Sequence, residues 1–250
     1  MPPVRPPVDT IHAPPFPREL SWVNVAPLRM DKQRGRPVLI EFFDFCRVQS
    51  LRTLPYVRAW HERYADAGLR VVSVHAPGYA PGRDEEAVRD AVARLGIEHP
   101  VCLDTEFALW RLFDNEGWPA RYLFGPDQIL RHYHYGEGAY DETELAIQEL
   151  LGDTRELVAP LRAEDDPDAL IAVPTAEQEG AYSGPYEAGG VWAVLSGKGF
   201  VRVGGEEIAV DHPGAYVLAE HERHTAAVLD LEVGDGVTCH ATVFTPGVAG

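Results

Sequence analysis

Apolar and polar positions fall into two textures along the chain. From residue 36 to 152, short apolar runs alternate with stretches of helical period. "RPVLIEFF" (36–43) is an unbroken apolar run of the kind buried on both faces of a parallel sheet. After it, Leu54, Val57, Trp60 and Tyr64 recur at helical spacing and mark the inner face of a helix. Ser50 is a candidate cap for that helix, with Arg47 as an alternative member of its first turn. "GLRVVSVHAPG" (68–78) predicts a second strand, and "DEEAVRDAVARLGI" (84–97) a helix with acidic start, Arg94 near its end and Gly96 beyond it. "HPVCLD" (99–104) predicts a strand and "EFALWRLFDN" (106–115) a short helix. "ARYLFGPDQILRHYHY" (120–135) predicts a hairpin around Gly125-Pro126-Asp127, and "DETELAIQELLG" (141–152) a closing helix. Strand and helix in alternation indicate an α/β layer fold.

Beyond residue 152 the texture changes. "RAEDDPDALIAVPTAEQEG" is polar and poor in helical pattern. From Tyr182 the chain alternates apolar and polar residues in short runs, with Gly204-Gly205 and Asp235-Gly236 as turns. That predicts a β-sandwich, jelly-roll-like in character. The expected divisions are a proline-rich arm (1–17), an α/β domain (18–152), a linker or lead-in (153–180) and an all-β domain (181–250).

Net charge is −17 over 250 residues. A chain so acidic lacks the positive face that nucleic acid or anionic membrane requires. The start has no signal-peptide core and no apolar run approaches the ~18 residues of a membrane span, so a cytoplasmic protein is expected. Three cysteines, Cys46, Cys102 and Cys239, lie far apart and do not form a disulfide framework. Cys102 and Cys239 sit inside β runs and read as core residues. Histidines 132, 134, 212, 221, 224 and 240 show no recognised metal spacing. Neither a P-loop nor a dinucleotide fingerprint is present, and no cofactor or metal is expected.

The stretch "IEFFDFCRVQSLRTLPYVRAW" (40–60), with "WPARYLF" (118–124), resembles the thioredoxin superfamily, most closely its TlpA-like branch. "SLRTLPYVRAW" and "HYGEGAYDETE" are similar to the thioredoxin domain of DipZ-type proteins, and the all-β tail resembles the carbohydrate-binding-like β-sandwich that follows that domain. No counterpart of the membrane-spanning part of DipZ is expected in this sequence. The resemblance aligns Glu41 with the family's buried carboxylate, which serves proton transfer. It places Arg47 and Ser50 where the two redox cysteines stand, Pro55 at the helix proline, and Pro119 at the cis-proline facing them. Arg-Val-Gln-Ser thus replaces Cys-x-x-C, and a nucleophilic thiolate with a resolving thiol one helical turn away is not available.

Cys46 stands one position earlier, ahead of a helix N-terminus and beside Arg47, both of which favour a thiolate. Ser50 is a candidate hydrogen-bond donor to it. The same ingredients serve one-cysteine thiol peroxidases on this fold. The competing reading makes Cys46 a small buried residue at a strand end. Candidate catalytic residues are therefore Cys46, Arg47, Ser50 and Glu41, and candidate substrate-binding residues Trp118, Pro119 and Phe45. The expected function is thiol redox chemistry on Cys46, as a peroxidase, reductase or thiol-transfer protein acting on a thiol, peroxide or disulfide, without dithiol exchange. The alternative is a redox-inactive thioredoxin-fold protein that binds a peptide, a glycan or a partner protein, with the sandwich as the expected glycan or protein site.

Overall fold

The computed structural model describes residues 10–250. The chain divides into two compact units, one of Met1–Asp44 and Gln49–Ala159, the other of Phe45–Val48 and Pro160–Gly250. Residues 1–9 of the proline-rich arm lie outside the described residues. The rest of the arm is tied down: His12 bridges Ile129, the Ala13 amide donates to the Gln128 carbonyl, and Phe16 enters the core.

The first unit holds a six-stranded mixed sheet. In chain order its elements are β1 (Ser21–Val23), β2 (Val38–Phe43), α1 (Val48–Tyr64), β3 (Arg70–His75), α2 (Glu85–Arg94), β4 (Val101–Leu103), α3 (Ala108–Leu112), β5 (Ala120–Phe124), β6 (Leu130–Tyr135) and α4 (Tyr140–Leu151). The sheet order is β1-β4-β3-β2-β5-β6. β2, β3 and β4 run parallel, while β1, β5 and β6 pair antiparallel with their neighbours. Every residue of β2 is buried, as its unbroken apolar run requires of a central strand covered on both faces.

Alternation along β2 sorts its side chains between two cores. Val38, Ile40 and Phe42 join one with Val72, Val74, Tyr122 and Leu109. Leu39 joins the other with Val71, Leu123, Val57 and Trp60 of α1, and Ile147 of α4. By the same alternation Glu41 shares the face of Leu39 and lies under α1. Pro55 sits inside α1 on its exposed side. α2 starts with the Asp84 carboxylate accepting the Glu86 amide at 2.9 Å. It ends in a left-handed Gly96, with Ile97 N–H bonded to the Val92 carbonyl and Gly96 N–H to that of Ala93. That turn aims the next segment, through His99, into β4.

The second unit is built of strands: β7 (Ile171–Ala172), β8 (Gln178–Glu179), β9 (Gly184–Gly197), β10 (Gly199–Val203), β11 (Glu206–Val210), β12 (Gly214–Leu229), β13 (Leu231–Val233), β14 (Val237–Thr245) and β15 (Gly247–Val248). They form sheets ordered β12-β9-β14-β8 and β11-β10-β13, with a β15-β7 pair. Val191 and Phe244 of the first sheet and Val201, Val210 and Leu231 of the second share one core, the arrangement of a β-sandwich. Gly204 and Gly205, at φ of 56° and 89°, make the two-residue turn between β10 and β11. Within the polar stretch before Tyr182, β7 pairs with β15 and β8 with β14, so residues from Pro160 onward belong to this unit. Two-residue strands leave almost no alternation to see, and the sequence pattern passes over them. Among the described residues, no helix is long and apolar enough to cross a membrane.

Candidate active site

The end of β2 and the start of α1 carry most of the candidate residues. Phe45 and Cys46 are buried in the turn between them, Cys46 with 0% of its surface exposed. Arg47 is half-buried immediately before α1. Ser50 is the third residue of the helix, and its hydroxyl accepts the Asp44 amide at 3.3 Å. It therefore lies inside the first turn rather than capping the helix, and it braces the strand end against that turn.

Asp44, which the sequence pattern did not single out, organises this corner. It is fully buried. One carboxylate oxygen accepts the Gly78 and Tyr79 amides at 2.7 and 3.2 Å, and the other stands 3.3 Å from Nε2 of buried His75. The carboxylate thus ties the β2 end to the loop after β3. A Cβ on Gly82 would meet Pro77, the Asp44 carboxylate and the His75 ring at 3.1–3.2 Å, which explains why glycine serves there. The only prior sign of Asp44 was an ionisable residue inside the aromatic run "FFDF".

Trp118 and Pro119 precede β5 and are joined by a cis peptide bond. Trp118 donates its indole N–H to the Ala76 carbonyl at 2.9 Å. Its ring lies 4.2 Å from that of Trp110 and 6.4 Å from that of Phe107, so a half-exposed aromatic cluster flanks Pro119.

Glu41 has no exposed surface. β-Pairing sets Ser73 of β3 on one side of it and Arg121 of β5 on the other. Ser73 donates its hydroxyl to the Glu41 carboxylate at 2.6 Å. Burial pushes the Glu41 carboxyl up to about 7, against the opposing pull of that hydrogen bond and of the Arg121 charge. Arg121 is itself fully buried, donates to the Gly138 carbonyl, and lies over the Tyr140 and Trp60 rings at 5.0 and 5.7 Å. Burial brings its guanidinium down to about 10. Glu41 is thus a carboxyl able to hold or release a proton near neutrality, the property general acid–base work needs.

The other two cysteines are strand residues. Burial raises the pKa of the Cys102 thiol, with Asp104 adding to the effect, and also raises that of Cys239. Several histidines serve polar pairs: His132 with Thr143, His221 with Tyr186 and His240 with Ser196. Among the described residues no three His, Cys, Asp or Glu side chains gather as a metal site.

No family model matches the chain. It is 36% identical over 138 residues to the DipZ protein of Mycobacterium bovis, covering 54% of this chain and 20% of DipZ. The chain therefore spans about a fifth of the length of the DipZ relatives it matches. It is 29% identical over 136 residues to the thiol-disulfide oxidoreductase YkuV of Bacillus subtilis, covering 54% of this chain and 91% of YkuV. Among solved structures, a thioredoxin-like superfamily protein superposes with a TM-score of 0.54 at 18% identity, covering 59% of this chain and all of that one. A thioredoxin-like protein solved in its oxidised form gives a TM-score of 0.50 at 27% identity, covering 60% of this chain and 97% of that one. The first unit is a thioredoxin-like domain with homologues among the DipZ-type proteins and thiol-disulfide oxidoreductases.

Proposed function

We propose that this chain is a monothiol protein of the thiol-disulfide oxidoreductase group, with Cys46 as its redox thiol and no dithiol exchange. The observation that carries this reading is position. Cys46 directly precedes Arg47 and the N-terminus of α1, where a guanidinium and the helix dipole favour a thiolate. The other two thiols lie in strands where burial disfavours ionisation. A disulfide substrate is attacked at one sulfur by the Cys46 thiolate; the S–S bond breaks, a mixed disulfide forms and one thiolate leaves. Ser50 has no sulfur with which to resolve that intermediate. An external thiol must attack it, releasing Cys46 and carrying away the substrate half as a new disulfide. With a peroxide, the thiolate attacks one oxygen, the O–O bond breaks, the other oxygen leaves as water or an alcohol, and Cys46 becomes a sulfenic acid; two external thiols then return it to the free thiol, releasing water and ending as a disulfide. Trp118 and Pro119 in the first unit, and Phe45 in the turn before α1, are the candidates for substrate contact.

One observation favours a second reading. Cys46 exposes none of its surface, and a thiol that stays buried is inert. The domain would then act as a redox-inactive binding module for a peptide, glycan or partner protein.

Alkylation of the native protein from pH 5 to 10, followed by intact mass, separates the two. The redox reading expects one rapidly labelled cysteine with a midpoint below the ~8.5 of a free thiol, raised more by Arg47→Ala than by Ser50→Ala. Labelling only in denaturant, or a midpoint above ~9, supports the binding module.

A further inference from the structure

Glu41 has a second connection, and it leads away from the Cys46 turn. Ser73 Oγ, which donates to Glu41, also lies 2.7 Å from Nε2 of His99. His99 is fully buried, its Nδ1 is a buried atom without a protein partner, and the residue is among those lining a cavity of about 510 Å³. The cavity opens between the second half of α1 and the turn after α2, with Arg58, His61, Glu62, Asp66 and Glu98 among its walls. The His61 ring meets that of His99 edge-on at 5.5 Å.

We propose that Glu41 exchanges its proton with solvent through Ser73 and His99 by way of this cavity. The hydrogen bonds set the tautomer. With Glu41 ionised, the Ser73 proton points at the carboxylate, so Ser73 Oγ accepts and His99 carries its proton on Nε2. His99 Nδ1 is then a bare, buried acceptor in a residue that lines the cavity. When an acid in the cavity protonates Nδ1, the Nε2 proton passes to Ser73 Oγ and the Ser73 proton passes to Glu41. Three bonds to hydrogen form and three break. The product state is a neutral carboxyl donating to Ser73, Ser73 donating to bare Nε2, and a protonated Nδ1. Running backwards, the same steps discharge Glu41.

No resting imidazolium is needed. Burial, with His61 and Arg58 nearby, holds the His99 pKa down to about 3. The groups facing the two ends are few. Ser73 and Arg121 flank Glu41 from β3 and β5. Ser73 from β3 and Arg58 and His61 from α1 face His99, while Arg70 and Glu98 act on His61. Neither Cys46 nor any redox step is involved, so the relay stands or falls separately from the chemistry proposed above.

The test reads Glu41 itself. The full chain, labelled with carbon-13 at glutamate side-chain carboxyls, is titrated from pH 5 to 9 in buffer, and the Glu41 signal is assigned by its loss in Glu41→Gln. The wild type is expected to show one averaged line moving with pH. His99→Phe should slow exchange on the order of a hundredfold and split it into separate protonated and ionised signals. His99→Gln, which keeps a donor to Ser73 but cannot pass a proton on, should do the same if His99→Phe fails to fold. In His99→Ala, added imidazole entering from the cavity should restore the single line. A single averaged line in His99→Gln or His99→Phe would overturn the proposal, as would a split His99→Ala spectrum that ignores imidazole.

Discussion

The two units differ most in what they bury. The first hides Glu41, Asp44, Arg52, His75, His99, Asp104, Arg121 and Glu144. In the second, the buried polar residues among those described are Thr242 and Thr245. Each ionisable group taken from water carries a desolvation cost of several kcal/mol unless partners offset it. The first unit offsets that cost with pairs and networks: Arg52 with Glu137 at 2.6 Å and Asp44 with two amides, while for Glu41 the Ser73 bond offsets only part of it. The second unit has the apolar interior that closes any sandwich. The contrast places the buried ionisable groups of this protein in its first unit.

The sharpest way to break that contrast is to orphan a network in the first unit. Glu144 accepts from Trp60 Nε1 at 3.1 Å, from the Tyr64 hydroxyl at 2.6 Å and from the Val158 amide at 2.9 Å. Glu144→Ala leaves all three donors without an acceptor and should cost about 3–5 kcal/mol. Urea denaturation followed by tryptophan emission measures it; a loss under ~1 kcal/mol would mean that water replaces the carboxylate.

The next effect is in pH. Folded Glu41 keeps its proton up to about 7, against an ordinary 4.5. Between those values the folded state holds the extra proton, so this group's contribution to stability falls as pH rises, by about 3 kcal/mol over the window. His99 has the opposite sign. Its folded value is about 3 against 6.5, so its contribution is full above 6.5 and is lost as pH falls towards 3. From 4.5 to 6.5 the two offset each other. Glu41→Gln removes one side: at pH 8 the variant should be about 3 kcal/mol more stable than wild type, and its stability should climb steeply from pH 3 to 6.5. Denaturation curves across pH 4–8 decide it, and parallel wild-type and variant profiles would contradict it.

The smallest effect belongs to the second unit. The Thr242 hydroxyl accepts the Tyr182 amide at 3.1 Å and donates to the Gly180 carbonyl at 2.9 Å. Thr242→Val keeps the shape, removes both bonds and should cost about 1–2 kcal/mol. The loss should be the same at pH 5 and pH 8, since the Cys239 thiol that Thr242 also bonds has its pKa raised by burial and stays protonated at both; a pH-dependent loss would erase the distinction between the units.

Much of the first unit was legible in the residues. The apolar run of β2, the helical spacing of Leu54, Val57, Trp60 and Tyr64, and Gly96 after α2 each state a local preference in a handful of neighbouring positions. The resemblance of "SLRTLPYVRAW" and "WPARYLF" to thioredoxin-like sequences then named the fold. Asp44, Ser73, His75 and His99 were not legible as site residues. A serine within "VVSV" and a histidine before "PVCL" look like ordinary polar interruptions of a strand. The two-residue strands β7 and β8 were missed because they have too few positions to show a period.

Local pattern therefore determined which segments become strand or helix and which faces they hide, because side-chain periodicity is a property of adjacent residues. Tertiary structure alone decided that Glu41, Ser73 and His99 form one hydrogen-bonded line and that Cys46 is buried. The line depends on the register between β2 and β3 and on how the turn after α2 delivers residue 99 to the sheet. Those choices join positions 26 and 32 residues apart, and they are made by packing both faces of the sheet at once.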